Sequence, residues 1–502
     1  MLIEFLQKIN GMIWNIYFIY FFLAMGAVFT ILTRFVQIAH FKDMLKLLFS
    51  SKATDSGISS FQAISMSLAG RIGTGNVAGV ATAIALGGPG AVFWMWVTAF
   101  LGSATAYIEN SLGQIYKSKV DGEYRGGMPF YIKKGLGLRK LGLVVAFATI
   151  IGNGFFLMTI QSNTISVAWT SALGVSPILT GIFIATLFGV IIIGGVKRIA
   201  KASEILVPVS GVLYIVICAI LLALNWSYVD DVFLLIIKSA FGLEATFGGL
   251  IGSAVSWGVQ RGVFSNGAGH GMETFEGSAA EVNHPAEQGL VNAFAVYIDT
   301  WVVCSATAFM ILITGMYNVE GAGVANIPGV GAGAEFVQLA FESKFTGFGA
   351  IFLAITLFFF CFTTMTAYYY KTETCFAYIK EDLNLGDTST FRLIVQFIIL
   401  IFAFVGTIIT METAWAFGDL AIGSMAYVNV IVLMLLLKPA LKTLQDYKTQ
   451  KRNKVEVMTF DPVKLGIKGA DYWEEVAGRQ NSSNHYEEEV SSKVYGDKVL
   501  SN

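Results

Sequence analysis

Four consecutive residues, Gly73-Thr74-Gly75-Asn76, stand in the middle of an apolar run and combine two glycines with a hydroxyl and an amide. Such a cluster can interrupt a helix, and an interrupted helix offers chemistry that a continuous one lacks. N–H groups freed at one half-helix end face an anion, and carbonyls freed at the other coordinate a cation. Three readings of the cluster compete. A nucleotide-binding glycine loop needs a preceding strand, and the surroundings here are an apolar span. Close helix packing is satisfied by Gly75-xxx-Gly79 alone. An unwound ligand site also accounts for Asn76, whose amide oxygen suits a hard cation or an ammonium group.

A second segment, from Phe247 to Gly271, repeats this glycine-rich, polar character inside another apolar run. Here Gly252, Ser253 and Ser256 are the expected unwound turn, with a second choice between Gly258 and Gly262. Polar groups facing lipid are costly, so Gln161 and Asn163 turn inward, either onto a substrate or onto a neighbouring helix as glue. Phe156 is a candidate pocket wall. Arg71, Glu109, Arg261, Asp299 and Asp419 are charges inside spans, read as ion pairs that hold helices together or as gates. His270, Glu273, Glu276 and His284 lack metal-ligand spacing and read as a solvated loop. Trp94, Trp96 and Tyr368 to Tyr370 read as interface or packing aromatics.

The elements that must carry these residues follow from composition. Of 502 residues, 55% are hydrophobic and only 13% charged, about half the charge of a soluble domain. The net charge of −1 excludes an electrostatic nucleic-acid binder. Four scattered cysteines form neither a disulfide framework nor a metal set. The chain reads as an all-α membrane protein. Eleven runs are long enough to span a bilayer, near 12–33, 57–89, 90–116, 141–172, 175–196, 205–225, 239–269, 289–316, 345–370, 393–411 and 413–437. With the amino terminus outside, 28 of the 33 Lys and Arg residues fall on the cytoplasmic side and three, Lys8, Lys238 and Lys344, fall outside. That bias orients a multi-pass protein with its carboxyl terminus inside. Residues 438–502 read as a cytoplasmic tail. Four spans lie between the two glycine-rich ones, so these two cross in opposite directions, as the broken helices of inverted-repeat transporters do.

The stretch from Gly73 through Gly-Gly-Pro-Gly to Trp96 resembles the signature of the alanine/glycine:cation symporters, the prokaryotic sodium:alanine symporter family. Arg261 to Asn266, Gln288 to Ala293, Asp299-Thr300 and Ala416 to Leu420 agree with it. One departure stands out: the family commonly has Ser-Asn-Glu-Ala-Gly where this chain has Ser265-Asn266-Gly267-Ala268-Gly269.

The resemblance, from about Phe61 to Lys442, implies a LeuT-like fold. Two inverted five-helix repeats, 57–225 and 239–437, would follow an extra amino-terminal helix and linker, 1–56. It implies that Gly73, Thr74, Gly75 and Asn76 meet the substrate or ion. It also implies that Thr363 and Thr364, with carbonyls near Ala69 and Ile72, hold sodium. The implied activity is sodium-coupled import of a small neutral amino acid (alanine or glycine, with serine and glutamine as further candidates). Proton coupling is the alternative, a channel ranks below it, and an enzyme ranks last because no nucleophile–base pair stands in a workable context. The expected partners are the amino acid, sodium and the lipid bilayer. No other cofactor, nucleic acid or obligatory protein partner is expected.

Overall fold

The computed structural model describes residues 2–193, 195–386 and 388–479, and these are mostly helical. Among the described residues, seven helices are long and apolar enough to cross a membrane: Gly90–Ile115, Arg139–Leu173, Arg198–Leu224, Pro285–Thr314, Gly349–Asp382, Ser389–Ile408 and Met411–Leu435. An eighth candidate is the pair Leu2–Ile13 and Ile16–Leu32, bent by 44°. The bend falls where Asn15 caps the second helix, its Oδ1 accepting the Phe18 N–H at 3.0 Å. The expected run 175–196 is the shorter apolar helix Pro177–Ile192. The remaining two expected runs, 57–89 and 239–269, are interrupted, as argued from their glycines. The first is Ser60–Arg71 followed by Gly75–Gly87; the second is Ile251–Asn266 followed by Thr274–Ala279.

The tail is not simply a solvated extension. Leu437–Arg452 is a helix, and the chain beyond it returns to the body, burying Trp473. Residues 480–502 lie outside the described residues. Lys117, just past the Gly90–Ile115 helix, is buried beneath this returning segment. Burial pulls its ammonium down to about 7, with the Glu281 carboxylate opposing the shift.

Candidate functional site

The first interruption shows why a helix can stop here without stranding its backbone. Ser59 and Gln62 form a reciprocal capping box at the start of Ser60–Arg71, and the helix ends where Ile72 turns extended at ψ 92°. Four of the groups this frees have side-chain partners. The Gly73 N–H donates to Asn76 Oδ1 at 3.0 Å, and the Thr74 N–H donates to Gln161 Oε1 at 3.1 Å. The Ala69 and Ile72 carbonyls accept from Thr364 Oγ1 at 2.7 and 3.2 Å. Side chains thus replace the missing turn in a setting where unmet backbone groups are costly. The chain then resumes as a π-helical turn, Gly75–Gly79.

Small residues are needed for this closeness. A Cβ on Gly73 would lie 2.6 Å from Thr364 Oγ1 and 2.9 Å from Gln161 Oε1. Gly75 lets the two interrupted spans touch, since its Cβ would meet Ser265 Cα at 3.1 Å. Gly73→Ala should therefore abolish uptake while the protein still inserts and purifies, because the added methyl pushes Thr364 and Gln161 off the break. Uptake by the purified variant in vesicles checks this; near-normal transport would show that the close approach is dispensable.

The second interruption corrects the expected position. Gly252 is exposed, Ser253 and Ser256 are half-buried, and all three lie in an unbroken helix. Gly258 and Gly262 do not unwind either. They allow close packing on Gly90–Ile115, since a Cβ on Gly258 would sit 2.5 Å from the Ala91 carbonyl. The break comes after Asn266, where Gly267, Gly269 and Gly271 adopt φ of 72°, 93° and 75°. Those values are easily reached by glycine alone. Glu109 supports this loop, its Oε2 accepting the Gly269 and Gly271 N–H groups at 3.2 Å each and Asn429 Nδ2 at 3.0 Å. Glu109 is therefore a backbone brace here, not half of an ion pair.

Asp299 ties the two interruptions together. It lies in a π-helical stretch, Tyr297–Cys304, with its carboxylate fully buried. Oδ1 accepts from Asn76 Nδ2 at 2.6 Å, and Oδ2 accepts from Ser265 Oγ at 3.0 Å and Thr300 Oγ1 at 2.7 Å. Asn76 sits on the first broken span and Ser265 on the second.

Between the breaks lies a small cavity bordered by Gly70, Phe264, Ser265, Gly267, His270, Met272, Glu273, Tyr368 and Ile422. Its free volume is about 10 Å³, room for roughly one water molecule. Ion pairs stand on both sides. On the side remote from the tail, Arg261 clasps Asp419 through two bonds of 2.8 and 2.9 Å, with its guanidinium 4.1 Å from the Trp415 ring centroid. On the tail side, Glu273 takes Lys371 Nζ at 2.8 Å and Ser67 Oγ at 3.2 Å, with Arg71 Nε at 3.8 Å. Glu276 lies 3.6 Å from the same ammonium.

Several expected roles change. Thr363 bonds the Phe359 and Phe360 carbonyls of its own helix at 2.9 and 3.0 Å and does not join Thr364 at the break. Asn163 is glue, donating to the Gly406 and Ile409 carbonyls at 3.0 and 2.8 Å. Gln161 instead holds the break, taking both the N–H and the hydroxyl of Thr74. Phe156 stacks on Phe417, with centroids 4.8 Å apart, outside the cavity lining. His270, Glu273, Glu276 and His284 are all buried, so the solvated-loop reading fails. Short polar spacing at the end of a span had looked like loop chemistry. Lys371 goes unread in the sequence, and Tyr368 is read there only as an interface or packing aromatic. They continue the face of Thr364 at helical i, i+4 and i+7 spacing along Gly349–Asp382, a signal present in the sequence.

Comparison with known families matches residues 1–461 to the sodium:alanine symporter family. The chain belongs to this family. YrbD of Bacillus subtilis (strain 168) is 50% identical over 476 residues, covering 94% of this chain and 97% of its own. The sodium/proton-dependent alanine carrier protein of Bacillus sp. (strain PS3) is 47% identical over 436 residues, covering 86% of this chain and 97% of its own. The sodium/alanine symporter AgcS of Methanococcus maripaludis is 37% identical over 442 residues, covering 86% and 94%. As a member of the sodium:alanine symporter family, this chain is a multi-pass membrane transporter and not an enzyme.

Proposed function

We propose that the chain imports a small neutral amino acid, alanine foremost with glycine, serine and glutamine as further substrates, together with sodium. The observation that carries this reading is the meeting of Thr364 Oγ1 with the Ala69 and Ile72 carbonyls at the first break. Three hard oxygens converge there on an interrupted helix, and hard cations take oxygen ligands. Thr363 stands outside that set. The half-helix Gly75–Gly87 starts at the same break and presents first-turn N–H groups suited to a carboxylate. Gly73, Thr74 and Gly75 meet that carboxylate, and Asn76 with Asp299 and Ser265 answers positive charge. The lining residues Phe264, Met272 and Ile422 surround the side chain, which favours a small one.

In this reading the protein has eleven spans. Repeats 57–225 and 239–437 are inverted relative to each other behind an extra amino-terminal helix. The amino terminus is outside and the tail is cytoplasmic, in a prokaryotic cell membrane. The free volume of about 10 Å³ belongs to a conformation closed to both sides. Opening outward separates Arg261 from Asp419, and opening inward separates Lys371 and Arg71 from Glu273. Alternating access breaks one set at a time.

In proteoliposomes at fixed pH with no proton gradient, an inward sodium gradient should drive alanine accumulation. Thr364→Val should cut that uptake by roughly 10-fold or more and weaken its sodium dependence, a loss of at least about 1.4 kcal/mol. Thr363→Val should stay within about twofold, since the hydroxyl it loses bonds carbonyls of its own helix that the helix already satisfies. Equal losses in both variants would contradict the assignment. Proton coupling is the second reading, favoured by the buried Asp299, which has no cation within ion-pair distance among the described residues. Accumulation driven by a proton gradient without sodium would decide for it.

A further inference from the structure

The returning tail covers the tail-side ends of both interrupted spans. Lys117 is fully buried there, with its ammonium 4.2 Å from the Tyr124 ring centroid, 4.8 Å from Tyr472 and 5.1 Å from Trp473. Two of these three rings belong to the tail. A desolvated ammonium among aromatic faces is strongly held. The same Nζ donates to the Ala280 carbonyl at 3.1 Å, at the end of the second broken span. Trp473 Nε1 donates to the Gln114 carbonyl at 2.8 Å, and the Gln114 amide donates to the Gly277 and Ala280 carbonyls at 2.6 and 3.0 Å.

The first broken span is fastened at the same point. Ile58, just before Ser60–Arg71, donates its N–H to the Ala279 carbonyl at 3.0 Å and accepts from the Glu281 N–H at 2.8 Å. Tyr124, one wall of the cage, donates its N–H to the Ser56 carbonyl at 2.8 Å and bonds Tyr472 through their hydroxyls at 2.9 Å. The tail thus reaches the starting end of one broken span and the finishing end of the other through a handful of shared atoms.

We propose that the carboxyl-terminal segment is a clamp: Tyr472 and Trp473, seated on Lys117, hold the inner halves of the two broken spans together, and inward opening requires their release. This rests on the alternating-access reading above. The clamp is a control point because a few kcal/mol suffice to shift a two-state equilibrium. Its occupant is the chain itself.

The test uses the full chain. Lys134 Nζ and Asp471 Oδ2 lie 3.0 Å apart, so in Lys134→Cys/Asp471→Cys a short reducible bis-thiosulfonate linker, filling the length the two side chains vacate, can tie the segment down; the four native cysteines are buried. Linked, this variant should lose sodium-driven alanine uptake by roughly 10-fold and regain it on reduction, a shift of about 1.4 kcal/mol. Recovery on reduction shows that the variant is folded. In a second experiment, Ser67→Cys is labelled from the tail side by an impermeant maleimide. Adding Tyr472→Ala/Trp473→Ala should speed labelling roughly 10-fold, since the closed population falls. Equal uptake by the linked and reduced pair, or an unchanged labelling rate, overturns the clamp. Absence of sodium-driven uptake by the unaltered chain overturns the transport reading instead, and the labelling rates still decide the clamp.

Discussion

Asp299→Asn should reduce amino-acid uptake by roughly 100-fold, about 2.7 kcal/mol, with little change in heat stability. The carboxylate accepts from Asn76, Ser265 and Thr300 at 2.6, 3.0 and 2.7 Å. Bonds to a charged group contribute about 1.5–3 kcal/mol each. An asparagine there keeps the shape but replaces the anion by one neutral acceptor and one donor group, so the Asn76 amide keeps only a neutral acceptor and the Ser265 hydroxyl must reverse and accept. Those two residues belong to the two broken spans, and their register at the cavity depends on this shared anion. The fold itself has less at stake, because the substitution removes a buried charge that no cation among the described residues pairs. Uptake by purified variant in vesicles, beside a melting curve, checks both halves. Transport within about twofold of the unaltered chain would relegate Asp299 to helix packing.

Lys371→Met should destabilise the protein by about 3–5 kcal/mol, the cost of removing one partner from a buried ion pair. Lys371 is fully buried and faces two acids, Glu273 at 2.8 Å and Glu276 at 3.6 Å. Without the ammonium, only Arg71, 3.8 Å from Glu273, remains nearby. Adding Glu273→Gln should recover much of the loss, since the pair is then absent rather than broken, and Ser67 still finds an acceptor. The expected readout is a marked drop in melting temperature in detergent for the single variant and a partial return for the double. Equal melting of the single variant and the unaltered chain would mean that Lys371 does not neutralise this cluster.

The sequence announced the interruptions more clearly than their surroundings. Glycine beside Thr74 and Asn76 marks a break because those side chains replace lost backbone partners, and each partner is local or recognisable by type. Thr364 could be paired with Ala69 and Ile72 only through the family resemblance, since 292 to 295 residues separate them. The second break was misplaced because glycine serves two ends. In Gly258 and Gly262 it makes room for a neighbouring helix, whereas in Gly267, Gly269 and Gly271 it permits positive φ. Composition cannot separate these uses. The acids Glu273 and Glu276 looked solvated because Lys371, their counter-ion, lies about 100 residues away on another helix. Tail burial was hidden for a similar reason: the adjacent Tyr472 and Trp473 among polar residues do not reveal the lysine they cover.

The most direct test is binding to the purified protein at fixed pH, with alanine added in sodium or in an equal concentration of potassium. The account predicts that alanine raises the melting temperature in sodium only, and that Thr364→Val removes the difference, because ligands that prefer the folded state stabilise it. Equal stabilisation in both salts, or none in either, would contradict a cavity that holds an amino acid and sodium together between two interrupted helices.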